Sequence, residues 1–392
     1  MDGMKIAFVS SSIPRRCGIA TFTADIMAAV KAADPTVRTS VVAIDEPNST
    51  RAYGAEVKAR IRQRDPATYR AAATLLNESN VDVVNIQHEF GLYGVWKDGV
   101  YEDHLRPLLL ELRKPAVTTL HSVLPDPPRS MRDAVRSIAE HSDELVVMAH
   151  TAARLLKSDY GITKTPVVIP HGMPAIDPTG RHQFKKQLGM STRTIVSTFG
   201  LVDPRKGLEY VIGAMPAVVQ RFPDALYLIV GQTHPELLKQ EGEAYRNTLA
   251  KSVDELGMGD HVAFVNEYLT QRAIVDYLLA TDVYVTPYLD PNQITSGTLA
   301  YALGAGKAIV STPYLHAVEA LAGGRGIIVP FRDSAAIADA VERILGDPEL
   351  KTSLEKRAYA YGRETAWPAV GRRVLALMQH MLDPKSGGLL AG

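Results

Sequence analysis

The residues whose types and spacing could do chemistry gather where a short β-forming run gives way to a helical pattern. The richest such place is Thr286-Pro287-Tyr288-Leu289-Asp290-Pro291-Asn292-Gln293-Ile294-Thr295-Ser296-Gly297-Thr298-Leu299-Ala300. Asn292 and Gln293 supply an amide pair, and Thr295, Ser296, Gly297 and Thr298 then open a helix. Hydroxyls and free backbone N–H groups would converge there, where the helix dipole favours an anion. N-capping alone accounts for Thr295 or Ser296, but not for the whole cluster. A second place is Thr198-Phe199-Gly200-Leu201-Val202-Asp203-Pro204-Arg205-Lys206-Gly207. Arg205 offers a planar fork and Lys206 a compact charge ahead of a helix, a pair suited to a pyrophosphate. An ordinary surface turn is the competing reading.

Two further runs end in histidine, Ile86-Gln87-His88-Glu89-Phe90-Gly91 and Thr118-Thr119-Leu120-His121-Ser122. At strand ends His88, Glu89 and His121 could bind substrate hydroxyls or handle a proton near neutral pH, or the histidines could be hydrogen-bonded structural residues. After the first β run, Ser11-Ser12-Ile13-Pro14-Arg15-Arg16-Cys17-Gly18-Ile19-Ala20-Thr21 brings Gly18 to a helix start. A small residue there lets backbone amides approach an anionic or hydroxylated ligand, although a bland turn fits equally. The loop is not a G-x-G-x-x-G dinucleotide motif, and Cys17 reads as a packed small residue. His150 and His171 also follow strands, but partners at metal spacing are missing, so no metal site is expected.

The elements that must position these residues alternate almost from end to end. Strands are expected at Lys5–Ser10, Thr39–Ile44, Val81–Gln87, Ala116–His121, Glu144–Met148 and Pro166–Pro170, then at Thr194–Gly200, Ala225–Gly231, His261–Asn266, Asp282–Pro287, Ala308–Ser311 and Gly326–Pro330. Helical patterns such as 20–33, 66–77, 105–113, 129–141 and 151–160 lie between them. Repeated βα units of this kind build doubly wound parallel sheets, which bind ligands outside the carboxyl ends of the strands. The breaker-rich stretch Pro170–Gln187 reads as the junction of two halves. The expected organisation is a domain over 1–180, a second over 181–365, and a segment over 366–392 whose helix crosses back to the first domain before a frayed tail. The basic run Lys58, Arg60, Arg62 and Arg64 reads as a solvated helix face, with contact to anionic lipid as the alternative.

Composition sets outer bounds. The 392 residues carry 43 Lys and Arg against 43 Asp and Glu, with 46% hydrophobic and 22% charged residues. That is ordinary globular material, and it argues against a nucleic-acid binder or a disordered chain. One cysteine among the 392 residues permits no internal disulfide and fits a reducing cytoplasm. No apolar run is long enough to span a bilayer, which leaves peripheral membrane contact compatible with the sequence.

The order of motifs resembles the retaining, nucleotide-sugar-dependent glycosyltransferases of family 4. The resemblance covers nearly the whole chain and rests on the Gly18 loop, Thr119-Leu120-His121-Ser122, Val168-Ile169-Pro170-His171-Gly172, Pro204-Arg205-Lys206-Gly207 and Gly304-Ala305-Gly306-Lys307-Ala308-Ile309-Val310-Ser311-Thr312. It implies the GT-B fold, two Rossmann-like α/β domains with parallel sheets facing across a cleft. It implies that Gly18 and His121 face the transferred sugar and acceptor, and the strand-end position of His88 and Glu89 puts them on that side as well. Arg205 and Lys206 would hold the donor pyrophosphate, and Asn266, Glu267, Tyr268 and Leu269 would lie against the base. The family's paired glutamates, with seven residues between them, fall here on Gln293 and Tyr301, so both carboxylates are gone. Gln293 can still hydrogen-bond sugar hydroxyls, whereas Tyr301 changes the ribose contact.

The implied activity is transfer of a hexose from a nucleotide sugar to a hydroxyl of a saccharide or glycolipid, with retention. Mannose from a GDP donor is favoured and a UDP-linked glucose is the near alternative. No metal or other cofactor is required by this arrangement, because the cations take that place. A nucleotide-sugar epimerase and an inactive sugar-nucleotide binder are the competing classes.

Overall fold

The computed structural model describes residues 3–383. The described residues form two compact units, 3–172 with 366–383 and 173–365. In the first unit the strands are β1 (Lys5–Ser10), β2 (Arg38–Asp45), β3 (Val57–Arg62), β4 (Val83–His88), β5 (Gly94–Lys97), β6 (Val100–Asp103), β7 (Ala116–Leu120), β8 (Glu144–Val147) and β9 (Val167–Val168). Seven of them make a sheet in the order β3-β2-β1-β4-β7-β8-β9. Every pairing in it is parallel. The remaining two, β5 and β6, form an antiparallel hairpin.

The second unit carries β10 (Thr194–Phe199), β11 (Ala225–Val230), β12 (Val262–Val265), β13 (Val283–Thr286), β14 (Ala308–Ser311) and β15 (Ile327–Ile328). They form one parallel sheet in the order β12-β11-β10-β13-β14-β15. Helices on both faces make the central strands continuous apolar runs, and all six residues of β11, ALYLIV, are buried. One face packs Val196, Tyr227, Ile229, Val283 and Val285 against the helices Leu208–Arg221 and Ser334–Gly346. The other packs Ile195, Leu228, Tyr284 and Ile309 against the helices Gln271–Ala280 and Gly297–Gly304.

Two doubly wound parallel α/β units are the expected architecture, and two differences have physical causes. The basic run begins on a strand, not on a helix face: in β3 Ile61 is buried while Lys58, Arg60 and Arg62 are exposed, the period-two pattern of an edge strand. The segment expected as a bare junction holds the helix Arg181–Gln187, and Met173 and Ile176 are buried in the second unit's core, so the units divide at Gly172. The helix Trp367–Leu382 lies in the first unit, with Trp367, Val370, Val374 and Met378 in the core that holds Ile6, Phe8 and Ile26. Gly371 sits so close to the helix Gly18–Ala33 that a Cβ would stand 2.5 Å from the Ala29 carbonyl oxygen. The tail expected to fray begins at Asp383, and from Pro384 onward it lies outside the described residues.

Candidate functional site

In the second unit, the loops after β10 and β13 are stitched together. The Leu289 N–H donates to the Arg205 carbonyl at 2.9 Å. Gly207, at φ +63°, passes so near that a Cβ would lie 2.3 Å from the Pro287 carbonyl oxygen. Gly200, at φ +128°, likewise brings the end of β10 beside Thr298, whose Cγ2 would stand 3.2 Å from an added Cβ. The sequence therefore closes one cluster from two segments far apart in the chain.

Within that cluster the cations have different partners. Arg205 donates from Nε and Nη2 to the two carboxylate oxygens of Asp203 at 3.1 and 2.9 Å, while 73% of its side chain stays exposed. Burial pushes the Asp203 carboxyl up, but the Arg205 hydrogen bonds and charge outweigh it and hold the group below the usual range. Lys206 instead sets its Nζ over the Tyr288 ring, 3.8 Å from the centroid. The Tyr288 hydroxyl meets Thr298 Oγ1 at 2.5 Å, and Thr298 Oγ1 meets Ser296 Oγ at 3.1 Å. Ser296 caps the helix Gly297–Gly304, accepting from the Leu299 N–H at 3.3 Å. His316 Nδ1 accepts from the Ser296 N–H at 2.8 Å, and its own N–H donates to the Gln293 carbonyl.

The other expected residues of this unit fall at distinct depths. Asn292 is exposed, and its N–H donates to Asp290 Oδ1; Gln293 and Thr295 are half-buried, with the Gln293 amide donating to the Thr295 carbonyl at 3.1 Å. Tyr301 is buried against Phe199, and Gln271 donates to its hydroxyl at 2.9 Å. Glu267 and Tyr268 are exposed at the end of β12. Strand-end reasoning left four residues without a role: Asp203, Tyr288, His316 and His234. His234 follows β11, and its imidazole is held below its ordinary range by burial, while Arg205 and Lys206 also lower it and Asp203 raises it. Its position after Val230-Gly231-Gln232-Thr233 was the signal available.

In the first unit the ends of β4 and β7 meet. The His121 N–H donates to the His88 carbonyl at 2.9 Å. His121 Nε2 lies 2.7 Å from Gln87 Oε1; that oxygen can only accept, so the imidazole donates from Nε2 and keeps a lone pair on Nδ1. Burial pushes its pKa down to about 3, so the ring is neutral at physiological pH. Phe22, from the helix that Gly18 opens, packs edge-on against His121 at 4.8 Å and against His171 at 5.1 Å. Gly18 faces open space, with no atom within 4 Å of an added Cβ. Ser122 donates to Glu89 at 2.5 Å, and burial raises that carboxyl. His88 is fully buried between Phe90 and Tyr93, and neither ring nitrogen has a hydrogen-bond partner among the described residues.

Comparison with known proteins matches each unit separately. The model for Glycosyltransferase Family 4 matches residues 18–175, and that for Glycosyl transferases group 1 matches residues 181–361. A GDP-mannose-dependent alpha-(1-6)-phosphatidylinositol monomannoside mannosyltransferase of Mycolicibacterium smegmatis is 25% identical over 259 residues, 63% of this chain and 65% of that protein. A phosphatidyl-myo-inositol mannosyltransferase of the same organism is 27% identical over 189 residues, 48% of this chain and 45% of that protein. Among solved structures, HepE of Anabaena in complex with UDP and glucose superposes with a TM-score of 0.75 at 16% identity, covering 96% of this chain and all, 100%, of its own. Sucrose-phosphate synthase of Thermosynechococcus elongatus gives a TM-score of 0.75 at 18% identity, covering 97% and 100%. With one family model on each unit and the GT-B architecture shared along nearly its whole length, the chain belongs to the family 4 glycosyltransferases.

Proposed function

We propose that this protein transfers a hexose from a nucleotide-sugar donor to a hydroxyl of a saccharide or glycolipid acceptor, with retention. The observation that carries the reading is the second unit's cluster, in which the Lys206 ammonium, the Arg205 guanidinium and the start of the helix Gly297–Gly304 belong to loops tied to each other. Fixed positive charge of this kind stabilises a departing nucleoside diphosphate as the sugar–phosphate bond breaks. The leaving phosphate takes the acceptor's proton, and no metal or other cofactor is required, because the cations supply the charge. On the first unit, neutral His121 accepts a hydrogen bond from a sugar hydroxyl through Nδ1, with Glu89 on the acceptor side. Gln293 and Asn292 bind sugar hydroxyls, and Glu267 and Tyr268 border the base.

Mannose from GDP-mannose is the favoured donor, supported by the curated relatives named above, with UDP-glucose next. The phosphatidylinositol-linked acceptors in those relatives' names make an anionic glycolipid the first acceptor class to try. Such an acceptor would be met peripherally, from a cytoplasmic location; no helix among the described residues is long and apolar enough to cross a membrane. The test is nucleoside diphosphate release from GDP-, UDP- and ADP-sugars, with and without acceptor mixtures, followed by product mass spectrometry. Acceptor-dependent release from one donor is expected. Donor consumption without acceptor would mark an epimerase, and binding without turnover would mark an inactive binder built around Gln293 and Tyr301.

A further inference from the structure

Lys206 and Arg205 are adjacent, yet the structure treats them differently. Asp203 takes the Arg205 fork, whereas the Lys206 ammonium rests 3.8 Å from the centroid of an aromatic ring. That ring is among the most constrained side chains of the unit. Tyr288 is 1% exposed and stacks on Tyr314 at 5.2 Å and 22°. Its carbonyl accepts from Thr312 Oγ1 at 2.6 Å, and its hydroxyl meets Thr298 Oγ1 at 2.5 Å, one residue inside the helix that Ser296 caps.

We infer that Tyr288 is a positioning residue that holds the Lys206 ammonium at a fixed place beside the start of the helix Gly297–Gly304, ready for the diphosphate of a nucleotide donor. This rests on the reading of the second unit as the donor side. A lysine side chain is long and flexible, and ordering it on binding costs rotamer entropy. An aromatic face attracts the ammonium without presenting an acceptor that competes with phosphate for its N–H groups. An acidic partner would hold the charge equally well but would repel the diphosphate. The hydroxyl end of the same ring fixes Thr298, so one side chain sets the spacing between the cation and the helix start. Burial pushes the Tyr288 phenol up, but the Lys206 charge beside it, together with the hydrogen bonding of its hydroxyl to Thr298 and Ser296, outweighs burial and draws the group below its ordinary range, as the proximity requires.

Calorimetric titration of the full chain with GDP and with UDP tests this. Lys206→Ala and Tyr288→Leu should each weaken the better-bound nucleotide, the latter about five- to twentyfold, and the double variant should be little weaker than Lys206→Ala alone. Tyr288→Phe should stay within about threefold of wild type, since it keeps the ring face. Because Leu at a buried position could disturb packing, a second series places phenylalanine with one, two and three ring fluorines at the same position. Volume then barely changes while the ring's negative face is progressively depleted, and affinity should fall stepwise. A flat fluorine series, or additive losses in the double variant, would overturn the inference while leaving the donor reading intact. Wild-type protein that binds neither nucleotide would overturn both.

Discussion

Lys307 stands directly before β14, fully buried, with its Nζ donating to the carbonyls of Thr281 at 3.2 Å and Leu279 at 3.4 Å. Both carbonyls belong to the end of the helix Gln271–Ala280, where a cation is favoured, and Asp282 and Glu355 add attraction. Desolvation nevertheless dominates, Arg181 opposes the charge as well, and the pKa falls from 10.5 to about 7. A proton held at 10.5 in the unfolded chain and at about 7 in the fold costs about 4 kcal/mol of stability at neutral pH, an upper figure. The sign follows from proton counting: between about pH 7 and 10 the unfolded chain binds more protons at this site than the fold does. Stability from this group therefore rises with pH across that window, by at most about 1.4 kcal/mol per pH unit. Lys307→Met keeps a similar volume without the charge and should stabilise the second unit by about 2–4 kcal/mol at pH 7. Its stability should lose that part of the pH slope. Both tryptophans, Trp96 and Trp367, lie in the first unit, so their fluorescence serves as an internal control. Hydrogen exchange of peptides spanning β13 and β14, measured in wild type and variant from pH 7 to 10, reads the second unit. Parallel pH slopes in the two proteins, or a destabilised variant, would refute the reasoning.

Gly18→Ala should fold with unchanged stability, because a Cβ there meets nothing within 4 Å, yet raise a substrate KM about tenfold if ligand approaches the loop backbone; steady-state kinetics beside thermal unfolding separates the two. His121 is neutral across the working range, so kcat/KM between pH 5 and 8 should show no inflection that disappears in His121→Asn, although the variant's turnover falls. Gln293→Glu places a carboxylate where the family resemblance implies one, and should shift the preference between GDP- and UDP-sugars in a competition assay; an unchanged preference would remove Gln293 from the sugar's surroundings.

The two sheets were legible because a parallel strand covered on both faces must be apolar along its length, and runs such as Ala225–Val230 have no other solution. The edge strand Val57–Arg62 was not, because one buried residue, Ile61, among exposed basic ones carries too short a period to separate strand from helix. Strand-end reasoning singles out Lys206, Ser296 and His121 from local spacing alone. What it could not reach are the tertiary partners that give each its character: Tyr288 under the Lys206 ammonium, His316 accepting from the Ser296 amide 20 residues away, Gln87 fixing the tautomer of His121. Tyr301 shows why that matters for function. By sequence it reads as a lost carboxylate, but it is 8% exposed, packed on Phe199, with its hydroxyl accepting from Gln271. A carboxylate at that depth would need a hydrogen-bonding ligand or a raised pKa to remain buried. The tyrosine needs neither, since Gln271 already satisfies it. The change at position 301 is thus self-sufficient within the fold, and under the proposed function the burden of recognising the donor falls on the groups that remain charged at the strand ends, above all Lys206, and on the start of the helix beside it.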